Sequence, residues 1–279
     1  MLRETTEGET IELRKTSLGA ITTLFYCKPA PPFECISLVF PVIIELAKSH
    51  GMIVFDVCHA LTCFLEVLVL PARFQYDICK TAVYFLSHPE TAIQVLALQL
   101  LLEFTSSESD SQTEMVIHCG ALPALKMLLE TSTSEKIKLN VCLNIGNILS
   151  SFQVEAVINA GLIESLLATL EDESLGIQNE AAWAIACSTN HSNANETQIQ
   201  QLVDKGCVEK MCSKITTCHD VKMLAFLLGF IKYVIREGER LKSSRSDNRN
   251  PYVMPIEETE TSRKIARRCK IDFKRNNGN

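Results

Sequence analysis

IQNEAAWAIACSTNHSNANETQIQQLVDKGCVEKMCSKI, residues 177–215, contains the chain's single tryptophan, Trp183, and one nearly complete copy of a unit that recurs in worn form on both sides. Leu175, Ala181, Ala182, Ile185 and Ala186 fall at helical spacing and make one apolar face. Glu180, Trp183 and Cys187 follow at i, i+3 and i+7 on another face. A helix that buries one face and patterns a second is expected to use the second for binding.

The same unit is legible on either side of this stretch. Val116-Ile117-His118-Cys119-Gly120, Val157-Ile158-Asn159-Ala160-Gly161 and Leu202-Val203-Asp204-Lys205-Gly206 each precede a leucine-rich helix, with the glycines 41 and 45 residues apart. A weaker copy, Phe74-Gln75-Tyr76-Asp77, puts Asp77 at the glycine position. In each unit a short helix ends at the glycine, which releases the chain into a sharp turn. A second helix follows (residues 121–130), then a polar turn (131–135) and a longer third helix (136–150). A period in the low forties with three helices per unit is that of armadillo or HEAT arrays, in which each unit buries its apolar faces against its neighbours. The fold expected is therefore an all-α, armadillo-repeat, right-handed superhelical solenoid of about five to six units.

The rest of the chain agrees with an intracellular helical protein. Glycine, proline and aromatic residues are few, which favours leucine- and alanine-rich helices. A net charge of −6 gives no case for a nucleic-acid binder as a whole. The twelve cysteines form no CxxC pair, and Cys58, Cys119, Cys142 and Cys212 stand at apolar helix positions, as reduced buried thiols would. Asn190-His191-Ser192 and Asn195-Glu196-Thr197 fit the glycosylation pattern by chance, since a polar start gives no secretory signal. Residues 52–72 are strongly apolar but carry Asp56, His59 and Glu66, so they read as buried repeat helix rather than membrane span.

Residues 1–15 read as a polar lead-in from a cut repeat, 16–239 as the armadillo units, and 240–279 as a degenerate last repeat with a basic tail. Apolar helices are expected over 18–32, where the prolines of CKPAPP stop the helix, and over 33–48 and 53–69, joined by Ser49-His50-Gly51. The tail, from Arg263-Lys264 through Arg267-Arg268 to Lys274-Arg275, reads first as a frayed charged end, and otherwise as a localisation signal or a segment that folds back into the groove. Applying the spacing of Glu180, Trp183 and Cys187 to the other third helices yields a series of ladders. They are Thr16, Gly19, Thr23; Asp56, His59, Cys63; Leu96, Gln99, Glu103; Asn140, Leu143, Asn147; and Phe226, Gly229, Tyr233. These line the expected concave groove.

EAAWAI (180–185), QIQQLVDKGC (198–207), KPAPPF (28–33) and NPY with IEE (250–258) resemble, in the same order, stretches of the importin alpha (karyopherin alpha) family. The resemblance covers residues from about 15 to 258. It implies an adaptor for proteins with basic nuclear localisation signals, working between cytoplasm and nucleus. In that family most third helices present a Trp and, one turn later, an Asn. Asn side chains clamp an extended peptide backbone, Trp faces sandwich the stems of Lys and Arg, and acids receive the cationic heads. Here the Trp position reads Gly19, His59, Leu143 and Trp183, and the Asn position Thr23, Glu103, Asn147 and Cys187, so no repeat keeps both members.

The resemblance implies peptide contacts from Asn147, Glu180, Trp183 and Asn140, with Asp56 and Glu103 adding negative field. Each missing partner removes stacking worth on the order of 1 kcal/mol, so weakened binding is expected. Stretches matching the family's importin-beta-binding segment and final repeat are not found, so neither importin beta nor the export factor is an expected partner. No catalytic constellation, phosphate loop or metal-ligand cluster is legible, so no enzyme, cofactor or membrane role is expected. The competing expectation is an armadillo interaction scaffold that has lost cargo transport; a partly decayed gene product would fit either.

Overall fold

The computed structural model describes residues 7–25, 32–47, 53–67, 70–107, 109–189, 194–242 and 250–252, which are helices joined by turns with no strand among them. They fall into two compact units, residues 1–128 and 129–279.

Unit 1 contains α1 (Glu7–Phe25), α2 (Phe33–Ala47), α3 (Val54–Val67), α4 (Ala72–Phe85), α5 (Thr91–Thr105) and α6 (Asp110–His118). The division between the units falls within α7 (Ala121–Thr131). The ladder-bearing helices α1, α3 and α5 lie side by side, with α3 packed on both neighbours. Behind them the core is aromatic. Phe40 meets Phe74 edge-on at 4.6 Å and Phe64 at 5.9 Å, and Leu61, Ile78, Phe85, Leu98 and Phe104 of the same unit are fully buried. Pro41 sits inside α2 and removes one of its backbone donors.

Unit 2 contains α8 (Glu135–Ser150), α9 (Val154–Asn159), α10 (Leu162–Thr169), α11 (Leu175–Cys187), α12 (Glu196–Asp204), α13 (Cys207–Thr217) and α14 (Val221–Lys242). Here α8, α11 and α14 are the stacked third helices. The expected glycine breaks are present. Gly120, Gly161 and Gly206 take φ of 85°, 71° and 82°, a left-handed conformation that side chains with a Cβ resist. Polar caps start two other helices: Ser174 accepts the Ile177 N–H at the head of α11, and Asn195 with Gln198 forms a reciprocal capping box on α12.

Polar rungs tie each repeat of unit 2 to the next. Lys138 donates to Asp172 at 2.6 Å, Ser165 to Glu130 at 2.6 Å, Ser174 to Glu135 at 2.6 Å and Lys210 to Glu171 at 2.6 Å, while Lys205 pairs with Glu164. Partners one repeat apart in sequence meet because the stacking is regular. Lys214 is buried, donates to Gln178, and has its pKa lowered by that burial.

Several local expectations change. The described part of α1 runs from Glu7 to Phe25, so helix occupies part of the stretch read as lead-in. Asp77 lies within α4, because a residue that can stay right-handed gives the helix no reason to stop there. Leu175 is 64% exposed as the first residue of α11, and Ile177 supplies the buried contact instead. The ten described cysteines are free thiols, with Cys58 and Cys142 buried as expected but Cys119 and Cys212 only half-buried. No described helix is long and apolar enough to cross a membrane. The basic tail, the Asn190 sequon, most of KPAPPF and the Ser49-His50-Gly51 turn lie outside the described residues.

Residues 250–252 dock on α14. Asn250 donates to the Ile235 carbonyl and to Glu239, and accepts from the Tyr252 N–H, while Tyr252 is buried. Gly238 makes this possible: a Cβ there would stand 2.7 Å from Cγ of Asn250. Gly238→Ala is expected to expel Asn250, trading hydrogen bonds of about 1 kcal/mol each for a helix gain of about 1 kcal/mol. The three lost bonds outweigh that gain, so a net loss of about 1–2 kcal/mol is expected, and hydrogen exchange at Tyr252 rises sharply. Unchanged protection there would mean that the strap is held by something other than Asn250.

Candidate functional site

The seam between α8 and α11 carries four of the expected contacts. α11 and α8 form an extensive pair, and Ala181, Ala182, Ala184 and Ala186 of α11 are all buried and small. Gly146 of α8 completes the fit. A Cβ on it would come within 2.8 Å of Cε3 and 3.0 Å of Cη2 of Trp183, so the indole lies against bare backbone. Trp183 is thereby held half-buried, with part of its ring open to solvent.

Glu180 stands one turn before Trp183 and is also half-buried. Its carboxyl has no hydrogen-bond or ion-pair partner among the described residues, and burial raises its pKa. Its charge is felt by Cys142 on α8, whose thiol is pushed up to about 12 by burial first and then by Glu180 and Asp172. Glu180→Gln is expected to raise stability by a few tenths of a kcal/mol, because solvent still screens much of the cost of the charge. A urea melt reads this, and a drop in stability would reveal a partner for the carboxylate.

On α8, Asn140, Leu143 and Asn147 are half-buried along the same seam. The Asn140 amide nitrogen donates to the Lys136 carbonyl of its own helix at 2.7 Å, and its oxygen is an acceptor. Cys187 departs from its expected place: it is fully buried, because a small apolar thiol at the last position of α11 packs inward. The seam therefore presents amides from α8 and an acid and an indole from α11.

Asp56 and Glu103 belong to unit 1. Asp56 is half-buried on α3 and Glu103 exposed on α5, which pack together, with exposed His59 and Gln99 between them in the ladder pattern. Cys63 is buried, its sulfur 3.9 Å from Nδ1 of His59. No group of three or more potential metal ligands converges among the described residues. Sequence reading missed Gly146 as the seat of Trp183. Its signal was available, since Gly146 stands one repeat before Ala186 at a position that stays small.

Comparisons with known proteins agree with this architecture. Residues 10–150 match the family model of the PIK3R4-like middle domain, and residues 153–186 that of the Armadillo/beta-catenin-like repeat. Importin subunit alpha-1a of Oryza sativa subsp. japonica is 28% identical over 273 residues, which cover 95% of this chain and 51% of that protein. Importin subunit alpha-8 of Arabidopsis thaliana is 28% identical over 253 residues, covering 89% and 56%. The chain thus spans about half the length of the curated relatives it matches. Among solved structures, a designed armadillo repeat protein in complex with peptide (KR)4 superposes with a TM-score of 0.64 at 18% identity, covering 84% of this chain and 96% of that one. An engineered protein superposes equally well, with a TM-score of 0.64 at 18% identity over 94% of this chain and 70% of the other.

Fold and seam together define an armadillo-repeat protein. By the match over half its length the chain belongs to the PIK3R4-like middle-domain family, and along nearly all of it the chain is similar, at 28% identity, to importin alpha subunits.

Proposed function

We propose that the α8–α11 seam binds extended basic peptides of the nuclear-localisation-signal type, and that the chain is an importin-alpha-like adaptor acting between cytoplasm and nucleus. The observation that carries this is Glu180, a half-buried carboxylate without a described partner, one turn from a half-exposed indole seated on Gly146. A Lys or Arg side chain would lay its stem on Trp183 and its charge at Glu180, while Asn140 and Asn147 hold the peptide backbone. Asp56 and Glu103 give the ladder face of unit 1 an acidic character of its own. A second reading, a scaffold whose groove no longer takes cargo, draws on Leu143 and Cys187, which remove one stacking ring and one clamping amide from this seam.

A fluorescein-labelled bipartite basic peptide, titrated with the purified chain, separates the two. Saturable, salt-sensitive binding is expected, weakened roughly tenfold or more by Glu180→Lys and by Trp183→Ala. Binding that ignores both substitutions, or no binding to a cooperatively folded chain, would leave the scaffold reading.

A further inference from the structure

The third ladder of unit 2 differs from the two before it. α14 places Phe226, Gly229 and Tyr233 where α11 places Glu180, Trp183 and Cys187. Gly229 therefore stands at the indole position without an indole, and a Cβ built on it meets nothing within 4 Å. The space left open is a cavity of about 460 Å³ between the end of α11, at Ala186 and Thr189, and the outer face of α14. That volume is in the range of sites that hold a substantial apolar group.

Its walls are aromatic and its rim is cationic. Phe226 is exposed, Phe230 forms a buried wall, and Tyr233 is anchored by donating its hydroxyl to the Ala194 carbonyl at 3.1 Å. Lys232 and Arg236, both exposed, complete the lining, which contains no carboxylate. The Arg236 guanidinium lies over the Tyr233 ring at 5.0 Å. Its nearest acid, Glu237, stays 3.8 Å from it and makes a closer pair with Arg240 at 3.1 Å. Arg236 is thus held in place mainly by the ring and keeps donors for another anion.

We propose that this cavity receives the aromatic side chain of an acidic peptide segment from a partner protein. The ring takes the volume that Gly229 leaves empty, and neighbouring carboxylates pair with Arg236 at the cationic rim. The charge requirement is opposite to that at Glu180, so this subsite is independent of the basic-peptide reading. A nucleic acid also offers rings and negative charge, but two rim cations on a chain of net charge −6 give a polyanion little to gain.

The probe is a short fluorescein-labelled peptide with one phenylalanine flanked on both sides by aspartate and glutamate, titrated with the full chain by anisotropy. Saturable binding is expected, reduced roughly tenfold or more by Gly229→Trp, which fills the cavity, and by Arg236→Glu, which reverses the rim. Neither change threatens folding: the first replaces a helix-interior glycine and the second is exposed, and an unchanged thermal melt checks this. Replacing the probe's phenylalanine by alanine should cost a similar factor, and Glu180→Lys should leave binding intact. The proposal is overturned by absence of binding, by indifference to Gly229→Trp in a folded chain, or by a single-stranded oligonucleotide that displaces the peptide at equal concentration. Failure of the basic peptide at Glu180 leaves these outcomes unaffected, so the two readings stand or fall separately.

Discussion

Ile145→Ala is expected to destabilise unit 2 by about 2–5 kcal/mol, the range for truncating a large aliphatic side chain in a tight core. Ile145 is completely buried in α8, next to the glycine that seats Trp183, and α8 with α11 forms the most extensive helix pair described. Relaxation around the hole is limited. The α11 residues of this region are mostly alanines, which have no side-chain torsions with which to move into a void. In a repeat stack stability is nearly a sum of units and nearest-neighbour interfaces, so a weakened seam is felt locally before the whole chain unfolds. Urea denaturation followed by Trp183 emission reads that seam directly, because the chain has one tryptophan and it lies there. Leu143→Ala, at a half-buried position on the same helix, should cost about 1 kcal/mol, in proportion to the smaller apolar area it removes from water. Equal losses from the two substitutions would mean that the seam collapses onto holes and is not a rigid platform for a peptide.

The glycine punctuation at Gly120, Gly161 and Gly206 makes the repeat legible, because a left-handed turn admits few residue types and recurs at intervals in the low to middle forties. The outward ladders were legible for the same reason: helical spacing fixes which residues share a face. What spacing does not fix is how far a small residue at the edge of that face turns inward. Cys63 and Cys187 stand at ladder positions and are buried, because a thiol costs little to bury. Leu175 was assigned to the core from its type, yet the first residue of a helix has no preceding turn to lie on, and it points to solvent. Helix over residues 7–15 is hard to read from sequence because charged residues fit an exposed helix face as well as they fit a loop. At the seam, the roles of Glu180 and Trp183 follow from their own residues, but the seat of the indole is a contact between helices. Only the approach of Gly146 reveals it.

Asp172→Ala should cost about 1–3 kcal/mol at neutral pH, and the loss should fade in acid. One carboxylate oxygen of Asp172 accepts from Lys138 at 2.6 Å and the other from the Ser174 N–H at 3.0 Å, joining the α8 repeat to the turn before α11. The two side chains are only 22% and 15% exposed, so removing the acid strands a largely buried ammonium. The hydrogen bond from Lys138, followed by that from Ser174, holds the Asp172 carboxyl below its ordinary range. A depressed folded pKa contributes stability that is fully present above the unfolded value of about 3.9 and is lost as pH falls through the lower folded value. The gap between parent and variant should therefore be constant from neutrality down to the ordinary carboxylate range and close below it. Glu180 works in the opposite sense. Its raised pKa makes its protonation favour the folded chain, and that favour is lost as pH rises through the raised value. Because both chains retain Glu180, its contribution cancels in the difference between them. Denaturation midpoints measured across the acid range check the claim, and a gap that persisted below the carboxylate range would show that Asp172 acts by shape and not by charge.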